Sequence, residues 1–123
     1  MKRLVSFFEI PAQDFGRAVK FYESVFQVKL AVMDCETEKM AFFPEEEDGN
    51  CPGSISYADD FKPVQGGGVL VSLWVESIEN ATTRIQENGG TMIIPRTKIE
   101  AENRGYFAIF TDSEGNRLGL YED

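Results

Sequence analysis

Phe7-Phe8-Glu9-Ile10-Pro11-Ala12-Gln13-Asp14, running straight into Phe15-Gly16-Arg17-Ala18-Val19-Lys20-Phe21-Tyr22, is the stretch from which the fold is read. An apolar run with one internal carboxylate, Glu9, is stopped by Pro11, and an amphipathic segment begins behind Asp14, whose side chain suits a helix N-cap. The first strand is expected over residues 4–10. Side chains alternate across a strand, so Phe7 and Glu9 share one face while Ser6, Phe8 and Ile10 share the other. In the helix, Ala18, Phe21, Tyr22, Val25 and Phe26 form one apolar stripe, predicted to pack on the first sheet. Arg17, Lys20 and Glu23 fall on its opposite face, as solvated charges.

Working outward, strands are expected over residues 28–33, 39–43 and 54–57, giving a βαβββ half. The acidic run Glu45-Glu46-Glu47-Asp48 beside Gly49 reads as a solvated turn. Residues 58–68, with Pro63 and Gly66-Gly67-Gly68, form a polar crossover; no Lys-Ser/Thr pair or helix follows the glycines directly, so a flexible link is preferred to a phosphate cradle. The opening pattern then recurs. Residues 69–75 read as a strand, Ser77 caps a helix carrying Ile78, Ala81 and Ile85, and Asn88-Gly89-Gly90 ends it in a left-handed turn. A strand over 91–94 is expected to stop at Pro95, and a hairpin of 106–111 with 117–121 turns at Asp112-Ser113-Glu114-Gly115-Asn116. Ala41-Phe42-Phe43 leading to Asp48-Gly49-Asn50 echoes Ala108-Ile109-Phe110 leading to Glu114-Gly115-Asn116.

Length and charge narrow the function. At 123 residues and 42% hydrophobic content, one domain over 1–123 is expected, with module one at about 1–60 and module two at about 69–123. A net charge of −9 repels phosphate backbones and anionic lipid, which disfavours nucleic-acid and membrane partners. No apolar run reaches the roughly 20 residues that span a bilayer. Met1-Lys2-Arg3 and the apolar residues after it imitate a signal peptide, but Glu9 interrupts them and no small-residue cleavage site follows, so export is not expected. Cys35 and Cys51 are too few for a disulfide framework, which points to reduced thiols in the cytoplasm.

Several residues together resemble the vicinal oxygen chelate superfamily, which includes lactoylglutathione lyase, bleomycin-resistance proteins and extradiol dioxygenases. They are Glu9-Ile10-Pro11-Ala12-x-Asp14 with Arg17-Ala18 and Phe21-Tyr22, Asn88-Gly89-Gly90, Gly105-Tyr106-Phe107, Asp112-x-x-Gly115-Asn116 and Gly119-Leu120-Tyr121. The resemblance covers nearly the whole chain. It implies an α+β fold of two tandem βαβββ modules forming a cup-shaped, partly open mixed sheet, the glyoxalase-like fold, and commonly a homodimer.

The resemblance also implies metal-ligand positions, which fall on Phe7, near Ser54, on or beside Leu70, and on Gly119. These offer phenyl, hydroxyl, isobutyl and hydrogen where a divalent metal needs imidazoles or carboxylates. The chain has no histidine. No metal or other cofactor is therefore expected; the nearest donors are Glu9 and, at the far end, Glu122.

Glu9 is the candidate catalytic residue, since burial beside aromatic rings would disfavour its charged form and poise it as a base. The alternative is that Glu9 pairs with an arginine or a hydroxyl across the cup, or lies at an interface as a structural ion. Phe7, Ser54, Leu70, Ser72, Trp74 and Tyr121 are the candidate ligand-binding residues, against ordinary core packing for the aromatics. Ser54 and Ser56 share a face but lack a partner that would make a nucleophile. Arg96 and Arg104, on a loop after Pro95, are weighed as contacts to an anionic ligand or as surface charges.

Three functions follow from the resemblance and these residues: a metal-independent binder of a small organic molecule in an aromatic-lined cup, a lyase or isomerase using Glu9 as general base, and a dimeric interaction or regulatory module.

Overall fold

The computed structural model describes residues 4–100 and 105–123. Its elements run β1 (Phe8–Pro11), α1 (Phe15–Phe26), β2 (Ala31–Asp34), β3 (Glu38–Phe42), β4 (Gly53–Ala58), β5 (Ser72–Trp74), α2 (Ile78–Glu87), β6 (Thr91–Lys98), β7 (Tyr106–Thr111) and β8 (Arg117–Glu122). Each half is βαβββ. The strands make two four-stranded mixed sheets, ordered β1-β4-β3-β2 and β5-β8-β7-β6. Each module begins with a strand parallel to its own last strand, Glu9 opposite Ser54 in one and Ser72 opposite Gly119 in the other.

Both helices start as their sequences dictate. Asp14 accepts from the Arg17 amide at 3.1 Å and Ser77 from the Asn80 amide at 3.1 Å, satisfying donors that a helix leaves free in its first turn. Gly89, at φ 92°, takes the left-handed turn that ends α2.

The apolar stripe of α1 buries Ala18, Phe21, Tyr22 and Val25, but not against the first sheet alone. Phe21 stacks on Phe110 of β7 at 6.3 Å, and Tyr22 meets Phe43 edge-on at 5.8 Å. α1 therefore joins the two modules. With Ile55, Ile78, Ile85 and Leu120 these residues form one shared core, each large side chain contributing roughly 1.5–3 kcal/mol by leaving water. Arg84 reinforces the joint by donating from Nε to the Val25 carbonyl at 2.6 Å.

Several boundaries differ from expectation, for reasons of hydrogen bonding rather than polarity. β1 starts at Phe8 and includes Pro11, because its partner strand begins at Gly53; Leu4 and Val5 remain exposed. β5 is confined to Ser72–Trp74, the residues opposite Gly119–Tyr121, so Val69 and Leu70 are not strand. β6 continues through Pro95 to Lys98 with two register shifts. It is an edge strand, and an edge tolerates a residue without an N–H.

The Arg17, Lys20, Glu23 face of α1 is not simply solvated. Arg17 pairs with Glu114, and Glu23 accepts from the Leu30 amide at 2.9 Å, fixing the exit from the helix.

Candidate functional site

β1 carries two kinds of side chain because its two faces differ. Ile10 is buried in the core beneath α1, together with Ile55 and Ala41 from β4 and β3. Glu9 occupies the other face, where the register brings it opposite Ser54. Its Oε1 accepts from the Ser56 hydroxyl at 2.7 Å, and Ser56 Oγ lies 2.8 Å from Ser54 Oγ. Both serines are buried, yet Glu9 is exposed. This corrects the expectation that aromatic burial would poise Glu9: the polar serine pair supports it from below, and the outer side of its strand is open.

The metal-ligand positions do not fit a metal, by the chemistry of what stands there. The Phe7 ring lies 6.2 Å from that of Phe42. Ser54 is committed to Ser56, and Leu70 is half exposed. At Gly119 a side chain would run into the Ser72 hydroxyl, so Ser72 takes up the space that a longer residue would need. Among the described residues no group of three or more His, Cys, Asp or Glu is arranged to hold a metal ion.

The candidate ligand-binding residues are not gathered in one cavity. Glu9 stands at a cleft of about 340 Å³ between β1, the crossover and the start of β8, with Phe61, Lys62, Val64, Val69 and Arg117 among its walls. It also borders a smaller hollow of about 200 Å³ beside Met40, Ser56 and Tyr57. Ser72 and Trp74 line a separate groove of about 820 Å³, with Phe8, Phe26 and Phe43 from module one. Trp74 is 57% exposed and donates from Nε1 to Asp123 at 3.3 Å. The Tyr121 hydroxyl accepts from the Gly105 amide at 3.3 Å.

Arg96 is on β6 rather than on a loop. Its guanidinium stacks 3.6 Å from the centre of the Tyr106 ring and pairs with Glu122 at 2.8 Å. Glu122 in turn accepts from the Ile78 amide at 2.7 Å, at the start of α2. The Arg96 hydrogen bond, then the Ile78 amide, hold the Glu122 carboxyl below its usual range. Arg104 lies outside the described residues, as do Met1, Lys2 and Arg3.

Sequence reasoning missed the role of the 112–116 turn. Glu114 is buried and accepts from the amides of Gln13 and Asp14 at 2.8 and 2.6 Å, and from Arg17 Nε at 2.6 Å. Burial acts to raise its carboxyl, but hydrogen bonds from Arg17, the Asp14 amide and Ser113 outweigh it and hold the group below the usual range. Asp112 accepts from the Tyr22 hydroxyl at 2.6 Å, and Asn116 donates to the Pro11 carbonyl at 2.8 Å. Burial first, then the charge and hydrogen bond of Asp112, push the Tyr22 hydroxyl well above its ordinary value. The signal was a turn holding two carboxylates and an amide next to apolar strands, where full solvation was not available to all three.

The fold has solved counterparts. Glyoxalase I from Zea mays superposes with a TM-score of 0.74 at 18% identity, over 95% of this chain and 45% of that one. The chain thus spans less than half of the maize protein. A glyoxylase/bleomycin resistance protein/dioxygenase domain from Frankia sp. gives 0.73 at 17% identity, covering 99% and 98% of the two chains. A glyoxalase family protein from Enterococcus faecalis gives 0.70 at 16%, covering 98% of each. Among curated proteins, none matches the sequence. Residues 4–120 match the Glyoxalase/Bleomycin resistance protein/Dioxygenase superfamily, and the chain belongs to that family.

Proposed function

We propose that the protein binds a small organic molecule without a metal, as one cytoplasmic domain, in the cleft beside Glu9. The observation that carries this is the cleft itself: about 340 Å³ with largely apolar walls and a few charged groups at its edge, which is how small-molecule sites are commonly built. The non-donor residues at the metal-ligand positions favour binding over metal-assisted chemistry. Phe7, Ser54, Leu70, Ser72, Trp74 and Tyr121 do not line this cleft; Ser72 and Trp74 are instead candidate contacts in the larger groove. Titration of an apolar fluorescent dye tests the reading: saturable binding, weakened by filling the cleft, is expected. Dye binding unaffected by a filled cleft would count against it.

The second reading is a lyase or isomerase in which Glu9 removes a proton beside a carbonyl. The exposed carboxylate, held by Ser56 at 2.7 Å and reachable by a substrate, favours it. Glu9→Gln abolishes turnover of any substrate found if Glu9 is the base, and unchanged turnover disposes of the idea.

A homodimer, alone or as an interaction module, is the third element of the proposal. It is supported by apolar side chains left in the open on both sheets, among them Val32, Met33, Trp74 and Ile93. Sedimentation at micromolar concentration should give twice the chain mass of 13.8 kDa; a monomer there would sink the dimer.

A further inference from the structure

The cleft beside Glu9 has an uneven charge distribution for so acidic a chain. Lys62 enters it from the crossover, with its ammonium 4.9 Å from the centre of the Tyr57 ring. Arg117 enters it from the first position of β8 and is exposed. Among the described residues neither cation makes an ion pair. Among the described residues the one carboxylate lining the cleft, Glu9, already accepts from Ser56. Arg117 and Lys62, the latter with its ammonium over the Tyr57 ring, therefore border a cleft with one engaged carboxylate, around walls that include Ile10, Phe61, Val71 and Leu118.

We infer that the ligand of this cleft is a small amphipathic anion, an apolar body bearing a carboxylate, sulfonate or similar group that meets Lys62 and Arg117. The inference rests on the proposed binding site and narrows its chemistry. The net charge of −9 does not oppose it at short range, since charges farther than about 8 Å are largely screened at physiological salt. Arg117 contributes a planar fork that matches such groups, and Lys62 a point charge. Val64 and Val69, 68% and 89% exposed on the crossover, supply apolar surface that a bound body would cover. The φ values of 69° at Gly66 and 88° at Gly68 are those that glycine adopts readily, so the crossover is shaped by residues that a bulkier side chain would strain.

Two dyes of similar aromatic body separate charge from shape: anionic 8-anilinonaphthalene-1-sulfonate and neutral N-phenyl-1-naphthylamine. Each is titrated by fluorescence against the wild type, the double variant Lys62→Gln/Arg117→Gln, and Gly67→Trp. Gly67 suits a cleft-filling change because a Cβ there meets only Val64, at 3.9 Å. The double variant should weaken the anionic dye about three- to tenfold, the range for two exposed charge contacts, and leave the neutral dye within about twofold. Gly67→Trp should weaken both. Equal effects of the double variant on the two dyes, or none on the anion, would overturn the anion assignment while leaving the cleft as a binding site. Failure of both dyes to bind the wild type, or indifference of both to Gly67→Trp, would overturn the site and this assignment with it. Far-UV circular dichroism confirms that each variant is folded before titration.

Discussion

Removing the Glu114 side chain tests whether one buried carboxylate locks the modules together. In Glu114→Ala the amides of Gln13 and Asp14 and the guanidinium of Arg17 lose their acceptor. Loss of a helix-start acceptor costs about 1 kcal/mol, and hydrogen bonds to a charged group contribute about 1.5–3 kcal/mol where water cannot replace them. Gln13, Asp14 and Arg17 are exposed enough to recruit water, so the sum is discounted to about 2 kcal/mol. For a chain of this size that lowers Tm by roughly 6–12 °C. Arg17→Ala should cost less, since both amides keep their acceptor. Because the folded-state carboxyl is held below its usual 4.5, its stabilisation is present above the unfolded value and lost as pH falls through the folded one. Thermal melts of wild type and Glu114→Gln should therefore differ most above about pH 5 and converge toward pH 3. A Tm loss no larger than that of the exposed control Glu36→Ala, or a difference independent of pH, would refute the argument.

Tyr22→Phe removes the bond to Asp112 and should cost about 1–3 kcal/mol at neutral pH by urea denaturation. The buried hydroxyl resists ionisation, so the wild type should also lose stability as pH rises above 10, the unfolded chain ionising first, whereas the variant lacks that component. Gly90→Ala drives a methyl into Ile85 Cγ2 and the Thr111 carbonyl, each 2.7 Å from where it would stand, and should destabilise by about 1–3 kcal/mol. Gly16→Ala, on the first turn of α1 with only Asp14 Oδ1 near at 3.9 Å, should instead stabilise by up to about 1 kcal/mol in the same denaturation assay. Glu9→Gln keeps an acceptor for Ser56 and should leave Tm within about 1 °C; a larger fall would mark Glu9 as a structural ion.

Much of the fold was legible because it is written in local chemistry. Asp14 and Ser77 cap the helices they precede, Asn88-Gly89-Gly90 ends α2, and the hairpin of β7 and β8 lies where alternating apolar residues flank a polar turn. What was not legible depends on partners distant in sequence. The apolar residues 69–71 look like strand, but only Ser72–Trp74 face a ladder. Pro95 looks like a stop, but at an edge its missing N–H is not needed. The exposure of Glu9 depends on what covers one face of a sheet, and alternation along β1 specifies faces without saying what lies above them.

The repeat in the sequence also conceals an asymmetry that bears on the site. Module one turns at its acidic loop through local bonds that include Asn50 to Asp48 and Gly49 to Glu46, at exposed residues. Module two turns through Asp112, Glu114 and Asn116, which reach across to Tyr22, Asp14 and Pro11. The module-two turn thus joins the halves. The joining turn leads directly into Arg117, and Asn116 and Arg117 both border the cleft beside Glu9. The residues that hold the modules in register therefore also fix one wall of the proposed site. A buried polar joint serves this better than apolar contact would, because each bond is directional and each unsatisfied group costly. Stacking of Phe21 on Phe110 is less directional, whereas Glu114 must align with Gln13, Asp14 and Arg17 at once to make its bonds.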